Sequence, residues 1–229
     1  GCQDGGNGLM AARRVDSLTK RRDRAASLKP VLAELYPDLT VSLDWGTPLE
    51  LLVATILSAQ CTDERVNRVT PALFERYPDA EAFAGADREE LEGLIHSTGL
   101  YRNKARNIQG MAQRVVSEHG GQVPDSMDEL VELPGVARKT ANVVLSNAFG
   151  RNEGVVVDTH VKRVAGRLGL TGETDPVRVE RDLMQVLDPD DWHSFPWRMI
   201  LHGRQRCAAR KPDCSACEIR DLCPSADRA

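Results

Sequence analysis

The chain has 229 residues, a formal net charge of −4, 41% apolar residues and 28% charged ones. This is the make-up of an ordinary globular protein of one large or two small domains, and it excludes a disordered or low-complexity chain. The longest apolar run, Leu51 to Leu57, falls far short of the ~18–20 residues of a membrane span, so no membrane partner is expected. The acidic total argues against a nucleic-acid partner until the charges are placed along the chain. Residues 10–30 carry seven basic residues (Arg13, Arg14, Lys20, Arg21, Arg22, Arg24, Lys29) against Asp16 and Asp23. Residues 101–114 carry Arg102, Lys104, Arg106 and Arg114 with no acid, and residues 198–211 carry Arg198, Arg204, Arg206, Arg210 and Lys211 with no acid. That distribution fits one positive face on an acidic body.

Residues 1–9 are Gly-rich and polar and read as a disordered tail, with Met10 a candidate native start. A helix is expected over about 12–36, with Leu28, Val31, Leu32 and Leu35 inward, ended by Pro37. Thr47-Pro48-Leu49-Glu50 opens the next: a Thr cap, Pro in the first turn and Glu at the third position. Leu49, Leu52, Val53, Ile56 and Leu57 form its inner stripe, and it ends at Ser58-Ala59-Gln60. Thr62 or Asp63 starts a helix to Tyr77, Asp87 starts one stopped by Gly99, and another covers about 103–118.

Ser126-Met127-Asp128-Glu129 has the form of a capping box for a short helix with Leu130 and Leu133 on one face. Pro134-Gly135 breaks it, Gly135 supplying a positive φ, and a second helix runs to about Ala148. A turn of this kind leaves backbone N–H groups pointing outward at a helix N-terminus, a device for binding phosphate. Lys139 lies just past the turn, inside the same positive field. Val155-Val156-Val157 is too short for a sheet of its own. Helices follow after Asp158, after Asp175-Pro176 and over about 191–205. The count is about ten helices, and the fold class is all-α.

Cys207, Cys214, Cys217 and Cys223 are spaced C-x6-C-x2-C-x5-C. Disulfides are disfavoured, since the start of the chain has no secretory signal. Zinc sites usually pair two short hooks across a longer spacer, and only one short hook exists here. A compact loop of four thiolates suits an iron–sulfur cubane. The spacing therefore favours a metal centre, and iron–sulfur over zinc.

Leu133-Pro134-Gly135-Val136-Ala137-Arg138-Lys139-Thr140-Ala141-Asn142, followed by Val157-Asp158-Thr159-His160 and the cysteine tail, resembles the endonuclease III family of helix-hairpin-helix DNA glycosylases and AP lyases. Leu57-Ser58-Ala59-Gln60, Thr98-Gly99-Leu100-Tyr101 and Leu201-His202-Gly203-Arg204 extend the likeness from about Leu28 to Cys223. The resemblance implies a six-helix barrel domain over 41–151 and an iron–sulfur domain made of 10–40 and 152–229, with a DNA cleft between them. It implies a [4Fe–4S] cluster on Cys207, Cys214, Cys217 and Cys223. The expected partner is double-stranded DNA containing damaged bases or abasic sites, met by a monomer in the cytoplasm, at the nucleoid.

The activity the resemblance implies is removal of oxidised or damaged pyrimidines, such as thymine glycol, through a lysine Schiff base, with strand cutting by β-elimination. Lys139 would be the nucleophile and Asp158 its carboxylate partner. DNA contacts would come from Gly135, Val136, Ala137, Arg138 and Thr140 in the hairpin, from Thr159 and His160, and from Arg206, Arg210 and Lys211 on the cluster loop. Gln60 and Leu100 would be the wedge that holds open the stack when a nucleotide flips out. Where the family usually has a second hairpin glycine this chain has Ala137, which is tolerable only at negative φ. The alternatives are a non-catalytic or weakly active DNA-binding paralogue and a mispair-specific glycosylase of the same superfamily. Lys139 argues against the second, and Lys139 with Asp158 against the first.

Overall fold

The computed structural model describes residues 16–39 and 42–226. The expectations for the 1–9 tail, Met10, Arg13 and Arg14 lie outside these residues. The described residues form eleven α-helices and no strand. They fall into two compact units, one of residues 16–37, 157–191 and 195–226, the other of residues 38–39, 42–156 and 192–194.

The larger unit is built round α2 (Pro48–Leu57). Leu51, Leu52, Val53, Ala54, Ile56 and Leu57 are all buried, so this helix is apolar on every side, the signature of a central rather than a surface helix. Its start is the expected capping box: Thr47 Oγ1 accepts from Glu50 N at 3.2 Å, and Glu50 Oε2 accepts from Thr47 N at 3.3 Å. Around it stand α3 (Asp63–Arg76), α5 (Arg88–Ile95) and α6 (Tyr101–His119), which contribute Leu73, Leu91, Ile108 and Met111 to one core. Helices α7 (Met127–Glu132) and α8 (Arg138–Ala148) complete it through Leu130, Leu133 and Val144.

Two details of this unit differ from expectation. A five-residue helix, α4 (Ala80–Ala84), was not expected. It stands because Asp79 Oδ1 accepts from Ala82 N at 2.8 Å and Phe83 is buried in the core. Helix α6 begins at Tyr101 rather than 103, because Leu100 takes the left-handed conformation at its N-cap.

The other unit packs α1 (Leu18–Leu35), α9 (Thr159–Arg167), α10 (Pro176–Val186) and α11 (Ser194–Gln205), the last from Phe195 onward. Leu28, Leu32, Val161, Val164, Leu183 and Met199 are buried in it. The basic residues of α1 close chain ends here. Arg24 donates to the carbonyls of Leu168 and Gly169 at 3.2 and 3.1 Å, satisfying the end of α9, and pairs with Asp16 at 2.6 Å. Arg21 bonds Leu170 O, Arg22 bonds Gln185 O, and Lys29 pairs with Asp191 at 2.7 Å. The expected positive face is therefore reduced: much of the charge counted along α1 is committed within the unit. Val155, Val156 and Val157 are buried and belong to no helix or strand.

Candidate functional site

The turn between α7 and α8 is set locally. Ser126 caps α7 by accepting from Glu129 N at 3.4 Å, and Val136 N donates to Leu133 O at 3.1 Å to close the turn. Gly135 has φ 79°, and a Cβ there would sit 2.8 Å from Asn107 Cβ on α6. Both the conformation and the space require glycine. Ala137 has φ −88° and ψ 165°, so the residue that stands where the family has glycine is unstrained. It is also the N-cap of α8, and it offers no side-chain acceptor. No side chain at the N-cap therefore engages the first turn of α8, where the dipole of an eleven-residue helix adds partial positive charge. Gly135, Ala137, Arg138 and Lys139 are exposed and Thr140 is half-buried beside them. Val136 is different: its side chain is part of the core, which leaves only its backbone to meet a ligand.

Gln60 and Leu100 share an unusual feature. Among the described residues only three non-glycine positions have positive φ: Gln60 at 54°, Leu100 at 49° and Lys211 at 51°. Left-handed backbone costs an L-residue roughly 1–2 kcal/mol, and such strain tends to sit at functional positions. Gln60 is exposed, and Leu100 is 55% exposed, so Leu100 does not make the buried contact that would seal the end of the preceding helix. Both tips belong to the larger unit, as do the hairpin and Lys139.

Asp158, Thr159 and His160 belong to the other unit. Asp158 caps α9: its Oδ1 accepts from Val161 N at 2.7 Å, which fixes the carboxylate while engaging one of its two oxygens. Thr159 is exposed. His160 Nδ1 lies 3.1 Å from Arg163 Nη2, and a guanidinium only donates, so Nδ1 is the accepting nitrogen. Arg163 also donates to Cys207 O at 3.1 Å and to Gly203 O at 2.8 Å, which ties His160 to the start of the cysteine loop. Gly203 permits this approach, since a Cβ there would meet His160 Cβ and Nδ1 at 3.1 Å.

The four cysteines line one pocket together with Val164, Leu168, His202 and Ile219. None is in a disulfide. Arg167 Nη1 donates to Cys207 Sγ at 3.2 Å, and His202 Nε2 lies 3.7 Å from Cys217 Sγ while its Nδ1 is 3.1 Å from Tyr36 Oη. Burial pushes the thiols of Cys217 and Cys223 up and lowers the pKa of His202. The donor set is all sulfur in an apolar setting. Among the described residues no group of three or more His, Cys, Asp or Glu side chains is arranged to hold a metal ion. Arg206 on this loop is engaged by Glu218 at 3.0 Å, whereas Arg210 and the strained Lys211 are exposed.

One residue was misread from the sequence. Lys104, counted with the surface charges of 101–114, is only 4% exposed, and its ammonium donates to Leu57 O at 2.7 Å and Thr98 O at 2.8 Å. A signal was present: Lys104, Ile108, Met111 and Val115 fall at helical spacing on the inner stripe of α6.

Residues 53–189 match the HhH-GPD superfamily of base excision DNA repair proteins. The chain is 61% identical over 209 residues to endonuclease III of Synechocystis sp., covering 91% of this chain and 95% of that protein. A solved non-covalent endonuclease III–DNA complex superposes with a TM-score of 0.84 at 43% identity, covering 90% of this chain and 96% of the other. A trapped endonuclease III–DNA covalent intermediate superposes with a TM-score of 0.83 at 42% identity, covering 92% and 97%.

Proposed function

Because the chain belongs to the endonuclease III family within the HhH-GPD superfamily of base excision DNA repair proteins, we propose that it is a bifunctional DNA N-glycosylase and AP lyase. Its substrate is duplex DNA carrying oxidised or ring-damaged pyrimidines, thymine glycol among them. It acts on DNA in the cytoplasm; among the described residues no helix is long and apolar enough to cross a membrane. The observation that carries the reading is the uncapped N-terminus of α8, with an exposed lysine at its second residue.

The chemistry assigns a role to each group. The α8 amides and the Gly135 turn hold a backbone phosphate. Gln60 and Leu100 enter the stack as the damaged nucleotide swings out, offsetting part of the lost stacking. Lys139 Nζ, as the neutral amine, attacks C1′, and the base departs with the electron pair of the glycosidic bond. The Asp158 carboxylate stabilises positive charge at the sugar and helps take the ammonium proton. Opening of the sugar ring gives the Schiff base, which acidifies C2′–H. Loss of that proton expels the 3′ phosphate and cuts the strand.

Cys207, Cys214, Cys217 and Cys223 would hold a [4Fe–4S] cluster, supported by their spacing and by their all-sulfur, apolar pocket. Bound there, the cluster would brace the loop that carries Arg206, Arg210 and Lys211; base release and β-elimination exchange no electrons, so the loop's part is to contact phosphate. A thymine-glycol duplex tests the function. The expected result is base release followed by a nick 3′ to the lesion. No base release would leave a DNA-binding paralogue, and release without a nick would leave a monofunctional glycosylase.

A further inference from the structure

Two turns carry the proposed wedge residues, and both are strained. Gln60 stands three residues beyond Leu57, the last residue of α2, and Leu100 stands two residues beyond Thr98, the last residue of a 3₁₀ turn. The carbonyls at such ends lack partners within their helices. Here the Lys104 ammonium serves both ends at once, donating to Leu57 O at 2.7 Å and to Thr98 O at 2.8 Å. Lys104 is 4% exposed, and Thr98 beside it is 2% exposed. Burying a lysine so deeply is costly unless its charge is met by hydrogen bonds, and an apolar residue would fill the stripe of α6 at less cost. The arrangement joins the roots of two exposed tips that are 40 residues apart in sequence.

We infer that Lys104 is a positioning residue for the nucleotide-flipping step, its ammonium fixing the backbone from which Gln60 and Leu100 project. The inference rests on the reading of those two side chains as the wedge. A nonpolar residue in its place leaves two buried carbonyls unpaired and frees each turn to relax from its left-handed conformation. Burial lowers the lysine's pKa, with the Cys61 thiol the neighbouring group that opposes this. Lys104 is remote from the reacting sugar in role: it touches backbone, and its effect passes through the tips.

The test separates flipping from chemistry. Single-turnover base release from a thymine-glycol duplex requires the wedge, whereas β-elimination on a single-stranded abasic oligonucleotide does not. Lys104→Met should lower the first by about 30- to 100-fold, the scale of a displaced positioning element, and the second by less than about threefold. In a Leu100→Ala background the same substitution should cost less than about threefold in the duplex assay, since the two act as one unit. Equal losses in both assays, or a full loss in the Leu100→Ala background, would overturn the inference. If Lys104→Met does not yield folded protein, Lys104→Gln, which keeps an amide donor, carries the same comparison: a loss confined to the duplex assay supports the inference, and equal losses overturn it. Failure of the wedge reading shows separately: Gln60→Ala and Leu100→Ala would each leave duplex excision at the parent rate.

Discussion

Gly135→Ala makes a quantitative test of the hairpin. At φ 79° an alanine pays the left-handed penalty, about 1–2 kcal/mol. Its Cβ would also lie 2.8 Å from Asn107 Cβ and 2.9 Å from Asn107 Nδ2. The nearest atom is rooted on helix α6 rather than at the free end of a flexible chain, so relief requires a backbone shift, worth about 1–3 kcal/mol. Gly150 is the control: its φ is 65°, but a Cβ there would meet nothing within 4 Å. Gly150→Ala should therefore cost only the conformational part. At about 2–4 °C per kcal/mol for a chain of this size, thermal melting should fall roughly 4–20 °C for Gly135→Ala and roughly 2–8 °C for Gly150→Ala. The difference between the two, measured in parallel by calorimetry, isolates the Asn107 contact. Equal shifts would show that the turn does not press on α6, and no shift at Gly135 would refute the turn geometry.

Ala137→Ser supplies the missing cap of α8; melting should rise by about 1 kcal/mol of stability while affinity for an abasic-analogue duplex falls, because the hydroxyl occupies the amides meant for phosphate. Asp158→Asn keeps a good N-cap acceptor for Val161 N and removes the charge, so melting should move little while single-turnover base release falls about 10²–10³-fold. The Arg76 guanidinium, bonded to Glu90 at 2.6 and 2.8 Å, holds the Glu90 carboxyl below its ordinary value of 4.5. A carboxyl lowered in the folded state stabilises above its unfolded pKa and loses that contribution as pH falls through the folded one. Arg76→Gln should thus lower stability at pH 7 and converge with the parent at strongly acidic pH; a constant gap across the range in denaturant titrations would refute this.

The hairpin was legible because its signals are local. Ser126, Glu129, Pro134 and Gly135 each act within a few residues, and the structure places a cap, a turn and a positive φ where they call for them. The cysteine set was legible for a related reason, since its spacing lies within one loop. What escaped depends on distant chain. Counting charges along α1 and α6 could not show that Arg21 and Arg24 serve carbonyls some 145 residues away, or that Lys104 turns inward between two loops. Arg206 reads as free among basic neighbours until Glu218, twelve residues on, folds back on it. The exposure of Leu100 has the same origin, since α6 starts from its left-handed backbone. Whether Ala137 fits the hairpin was a matter of one dihedral angle, and its negative φ settles that it does.

The central claim is that Lys139 forms the covalent bond to the sugar. Incubating the protein with an abasic duplex under borohydride reduces any Schiff base to a stable amine, and proteolysis with mass spectrometry then identifies the modified residue. The account requires the sugar adduct on Lys139, with no adduct formed by Lys139→Gln. An adduct on any other amine of the parent protein, or trapping that survives Lys139→Gln, would contradict it.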